Sequence, residues 1–175
     1  MNALVRLVRR FRDAEDGVAA VEMSLISVLF FGAMINGIEI GRYGLTLMQL
    51  NNAAQAGVAA AYSACDAAHL PATQNCPAVA GAVATALKST TLGENVTLEG
   101  QLSEGWYCVN ASKTLVYVAE PLSKPADCSA ASNPSALPGL YLSVQAKYAY
   151  TPIFPGTLAA SFTSPIKRTA MARFQ

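Results

Sequence analysis

The stretch DAEDGVAAVEMSLISVLFFGAMINGI, residues 13–38, decides how the chain is read. Acidic residues Asp13, Glu15 and Asp16 stop at Gly17, and an apolar run begins at Val18. Within residues 18–38 the only ionisable side chain is Glu22. At about 1.5 Å rise per residue this run spans about 31 Å as a helix, the hydrocarbon thickness of a bilayer, so it predicts a transmembrane helix. A charge in such a run costs about 2.5–3.5 kcal/mol at the membrane centre and less near its edge, so Glu22 implies a use.

Upstream lie Arg6, Arg9, Arg10 and Arg12. Positive residues flanking a span favour the cytoplasmic side, which places the N-terminus inside and everything after residue 40 outside. A secretory signal peptide would need a small-x-small cleavage site just after a shorter apolar region, and none is well placed. Downstream, Ile40, Tyr43, Leu47, Leu50, Ala54, Val58 and Ala61 recur at spacings of three and four, and no proline occurs before Pro71. That periodicity continues the same helix as an amphipathic stripe. The expectation is one helix over 18–64, transmembrane over 18–38, with its second half laid on a small domain. Gly37 and Gly41 form a G-x-x-x-G that suits either close helix packing or a flexible exit from lipid.

Composition narrows the function classes. The chain has 175 residues, enough for one domain or a long helix with a modest domain attached. Charged residues make up 13% and the net charge is +1, so nothing in the overall electrostatics favours nucleic acid. The four cysteines, Cys65, Cys76, Cys108 and Cys128, all follow the apolar run, as they would on the oxidising side of a membrane. Without a C-x-x-C pair, and with His69 as the one histidine, they give weak support for zinc. Three disulfide pairings exist in principle. The sequential one, Cys65 with Cys76 and Cys108 with Cys128, is favoured because it closes short loops.

Residues 66–77, with Pro71 and Pro77, read as a loop, and Val79, Val83, Ala86 and Leu87 give a short helix over 78–90 that Gly93 stops. Strand character follows at Val96 to Leu102, Trp106 to Val109 and Leu115 to Ala119. A proline-rich connection spans 120–139. Residues 140–150 alternate most clearly, with Leu140, Leu142, Val144 and Ala146 on one face, and a last strand is expected from Phe162 to Phe174. The fold class is α+β: a long N-terminal helix on a small antiparallel sheet, with a second short helix. The domain boundaries are 1–17, 18–64 and 65–175. His69 stands alone in a loop, and Glu94, Glu99 and Glu104 read as solvated charges, so no nucleophile–base pair emerges and neither cofactor nor metal is expected. The triplets at Asn95 and Asn110 match the N-glycosylation pattern, which arises often by chance. If an enzyme acts on this chain, Gly17 is the place, since it lets a protease backbone approach closely.

The basic leader followed by G17-V-A-A-V-E22 at the opening of an apolar helix resembles the type IV pilin superfamily. Within it, FRDAEDGVAAVEMSLI is similar to the TadE-like minor pilins, or pseudopilins, of tight-adherence (Tad/Flp) pili. The resemblance implies a pilin-like fold and removal of residues 1–17 by a prepilin peptidase between Gly17 and Val18, leaving Glu22 as the fifth mature residue and an assembly contact. It also implies other pilin subunits and the pilus assembly machinery as partners, membrane lipid before assembly, and a role in surface attachment. Met23 follows the glutamate where major Flp pilins carry an aromatic, and more than a hundred residues follow the helix, which points to a minor or initiating subunit. Ser27 to Leu29 lack the proline that many relatives carry there. The alternative reading is an unprocessed single-pass envelope protein with an external binding domain.

Overall fold

The computed structural model describes residues 16–162 and 164–175. The leader arginines, Asp13 and Glu15 lie outside the described residues. Helix α1 runs Asp16–Ala64 without interruption, as a stretch free of proline permits. It is followed by α2 (Ala72–Asn75), α3 (Ala78–Leu87) and strands β1 (Val96–Leu98), β2 (Ser103–Val109), β3 (Leu115–Ala119), β4 (Gly139–Tyr148) and β5 (Ile166–Arg173). This is the α+β arrangement of long N-terminal helix, short helices and small antiparallel sheet that the sequence predicts. The residues divide into two compact units, one of 16–42 with Pro152–Phe162 and one of Tyr43–Thr151 with 164–175.

In the larger unit β4 is the organising strand. Its alternation is decisive: Leu140, Leu142, Val144 and Ala146 are buried while Tyr141, Ser143, Gln145 and Lys147 are half-buried on the other face. β5 pairs with β4 from Tyr141↔Arg173 to Tyr148↔Ile166. β1 takes residues Ala146 to Tyr148 of β4, and β2 takes Gly139 to Ser143. Because a strand has two hydrogen-bonding edges, β1 and β2 share the edge opposite β5. β3 then pairs with β2. The Glu99 N–H donates to the Gln145 carbonyl at 2.8 Å just beyond β1, and Gly100, at φ +72°, breaks the chain before β2.

The buried face of the sheet meets the later turns of α1. Leu50, Ala53, Ala54, Val58 and Ala61 are buried there with Val79, Val83 and Leu87 of α3 and Leu142, Val144 and Ala146 of β4. Each fully buried Leu or Val contributes about 1.5–3 kcal/mol. The alanines bring the backbones close, and Gly57 marks a tight approach on α1: a Cβ there would lie 3.2 Å from Val144 Cγ1 and 3.3 Å from Leu87 Cδ2. Tyr150 is buried and packs edge-to-face on Tyr43, with centroids 5.2 Å apart.

Disulfide bonds join Cys65 to Cys76 and Cys108 to Cys128. The first ties the end of α1 to the segment after α2. The second fastens the long β3–β4 connection, with Cys108, Cys128 and Ala131 forming a small second core. Trp106 Nε1 donates to the Pro121 carbonyl at 2.9 Å, and Asn133 Nδ2 donates to the Val109 carbonyl at 2.9 Å, so this connection is held at both ends.

The structure corrects several expectations. Ile40, placed on the amphipathic stripe, is exposed, and Glu39 beside it is fully buried. The presumed loop 66–77 contains α2. Helix α3 ends at Leu87 rather than near residue 90, since the polar, partly β-branched run Ser89, Thr90 and Thr91 follows it before Gly93. The last strand starts at Ile166 and not at Phe162, because Pro165 has no N–H for the ladder and a 3₁₀ turn occupies Leu158–Ser161. Replacing Gly57 with valine is expected to destabilise the larger unit by about 1–3 kcal/mol through overpacking, read as a lower denaturation midpoint with unchanged slope.

Candidate functional site

The first site is the N-terminal junction. Gly17, Val18 and Glu22 are all exposed in α1, and Val18 and Glu22 stand four residues apart, so they are neighbours on one helix face. The most apolar part of the helix has mean hydropathy 2.1 and none of it is buried, and the helix is long and apolar enough to cross a membrane. Leu29 is 75% exposed and Phe30 63%.

The uncharged polar residues of this run satisfy themselves. Ser24 Oγ donates to the Val21 carbonyl at 2.7 Å, Ser27 Oγ to the Ser24 carbonyl at 2.8 Å, and Asn36 Nδ2 to the Gly32 carbonyl at 2.8 Å. Such back-bonding is how hydroxyl and amide groups enter lipid without an unmet donor. An ionised Glu22 has no such route, because a carboxylate only accepts and the carbonyls of its own helix are acceptors too. A group that paired with it in an apolar setting would have to bring a donor.

The second site is in the same unit and was not foreseen. Glu39 is fully buried, and its carboxylate accepts from the Ile153 N–H at 3.1 and 3.2 Å and from the Phe154 N–H at 3.4 Å. Arg42 Nη1 donates to Glu39 Oε1 at 2.9 Å. One turn earlier, Asn36 Oδ1 accepts from the Leu158 N–H at 2.9 Å. The helix thus presents two polar side chains that clasp the backbone of residues 152–158, a segment where Pro152, Pro155 and Gly156 (φ +91°) preclude regular structure. Glu39 and Ile153 are 114 residues apart, and no local pattern around Glu39 announces that partner.

The remaining carboxylates have structural duties. Glu104, read from sequence as a solvated charge, is buried and accepts from the Ala72 N–H, the Thr73 N–H and the Thr73 hydroxyl at 3.0, 2.8 and 2.8 Å. It fastens α2 to β2. Glu99 bridges Lys147 at 2.8 Å and Lys167 at 2.6 Å, and these contacts hold its carboxyl below the usual range. Glu94 is exposed and paired with Lys88. His69 is exposed in its loop, with Nδ1 against the Asp66 carboxylate, and that hydrogen bond lowers the Asp66 pKa.

Among the described residues no three His, Cys, Asp or Glu side chains converge as a metal site. A cleft of about 300 Å³ beside α3, lined by Thr73, Val79, Leu98, Gln101 and Leu102, carries no titratable side chain. Comparison with known protein families, with curated proteins and with solved structures finds no match to this chain.

Replacing Glu39 with alanine leaves the Ile153 and Phe154 N–H groups without this acceptor. A loss of about 1–3 kcal/mol, or roughly 5- to 150-fold faster amide exchange at those two positions, is expected, with exchange in β4 unchanged.

Proposed function

We propose that this chain is a minor pilin or pseudopilin of a tight-adherence type IV pilus, processed after Gly17 and incorporated in, or initiating, the filament. The observation that carries this reading is the junction itself: a glycine, then Val18, then a lone carboxylate four positions on, all at the start of an exposed apolar helix. The α+β body that follows gives such a helix something to display.

The chemistry is as follows. A prepilin peptidase hydrolyses the Gly17–Val18 peptide bond, leaving a carboxylate on Gly17 and an ammonium group on Val18. In a helical packing of subunits the Glu22 carboxylate of one chain pairs with the Val18 ammonium of another. Each charge is costly alone in an apolar core, and the pairing offsets both desolvation penalties. The ammonium supplies the donor that Glu22 cannot find on its own helix. Exposed apolar residues such as Val21, Leu25 and Leu29 supply most of the attraction, while the ion pair sets the axial register. Before assembly the same apolar surface lies in the inner membrane, with the disulfide-bonded body outside the cytoplasm. The resulting filament serves surface attachment.

N-terminal sequencing of the chain from sheared pili is expected to begin at Val18. An intact leader would instead favour the unprocessed anchor, in which Glu22 pairs with a polar group on another membrane helix. Gly17→Val should abolish the size shift on an immunoblot. Glu22→Ala should be cleaved normally yet be depleted from pili relative to the membrane pool, and normal incorporation would remove the pairing role.

A further inference from the structure

The unit made by residues 16–42 and Pro152–Phe162 exposes more apolar surface than the helix alone. Ile153 is 57% exposed, Phe154 37% and Leu158 67%, all on the segment clasped by Glu39 and Asn36. The same region of sequence, residues 148–166, contains no charged residue and is bounded by Lys147 and Lys167. Exposed apolar residues grouped on one irregular segment mark a contact surface.

Its backbone is prepared for a dry environment. Irregular chain is normally kept out of hydrocarbon because its N–H groups would go unmet. Here the Ile153, Phe154 and Leu158 N–H groups donate to the Glu39 carboxylate and the Asn36 amide oxygen, so those donors need no water. Thr157 Oγ1 donates to the Phe154 carbonyl at 3.0 Å and Ser161 Oγ to the Leu158 carbonyl at 2.6 Å, which satisfies polar groups of the segment from within.

The position along the helix fits as well. Glu39 lies about 31 Å from Val18 along α1, at the far boundary of a hydrocarbon core entered at Val18. The segment reaches back from Glu39 to Asn36, towards the apolar run. We infer that residues 152–158 form a second membrane-contacting element, which rests Ile153, Phe154 and Leu158 in the outer part of the bilayer beside the helix that spans it. Lipid is the occupant because Glu39 and Asn36 hold the segment against the end of the apolar run of α1, where Met34 and Ile38 are also exposed. The inference rests on the membrane reading of α1.

The test uses full-length Leu158→Trp and Ile153→Trp chains in phosphatidylcholine–phosphatidylglycerol vesicles, with lipids brominated near the carbonyl end of their acyl chains as quenchers. The native Trp106 is 3% exposed and sets the background. Leu137→Trp, at a position 80% exposed in the larger unit, is the control. The expected result is a several-fold larger loss of emission from Trp at 158 and 153 than from the control, with all chains floating with the vesicles. Chains that float while neither probe is quenched above background would overturn the inference and leave the anchor standing; burial of the patch between copies would give that result. Equal quenching at position 137 would also overturn it, since contact would then not be a property of this segment. Chains that fail to float would overturn the anchor reading and this inference with it.

Discussion

One helix carries two different surface patterns, and most of the structure follows from that. Through its first turns α1 presents apolar side chains all round, and they remain exposed within the chain. From Leu50 onward it buries one narrow stripe and leaves polar residues such as Asn52 and Gln55 exposed. A helix made apolar on every face throughout would have nothing to distinguish the side that meets the sheet. One made amphipathic throughout could not cross lipid. The change of pattern falls near residue 40, where Glu39 accepts from Arg42 and from the Ile153 and Phe154 N–H groups.

The sheet answers the second half of that helix by shape. Small residues on α1 and alternating aliphatic residues on β4 allow close approach, and Gly57 stands where even a methyl group crowds Val144 and Leu87. The interface depends on size as much as on hydrophobicity, which is why Ala53, Ala54 and Ala61 are as buried as Leu50.

How much of this was legible in the sequence depended on whether the signal was local. The length of α1, the β4 alternation and the strand character around Trp106–Val109 and Leu115–Ala119 are carried by patterns within a few residues, and the structure has them. Strand ends were less readable, because Gly100 and Pro165 act through backbone geometry and a missing donor, not through hydropathy. Glu39 and Glu104 were unreadable for another reason: each is paid for by backbone N–H groups far away in sequence, at Ile153 and Ala72. A buried carboxylate of that kind looks the same in sequence as a solvated one. The junction at Gly17 and Glu22 is the opposite case, where the residue order itself is the signal and the fold adds only its exposure.

The two disulfides enclose short stretches, with partners 11 and 20 residues apart. Under a pulling load along the chain, those enclosed residues stay hidden even after every strand has come apart. At about 3.3–3.6 Å per extended residue, the oxidised chain falls short of the reduced one by about 100 Å of reach. The crosslinks thus act as stops on extension, and they keep α1 tethered to the segment after α2 while the rest of the body gives way.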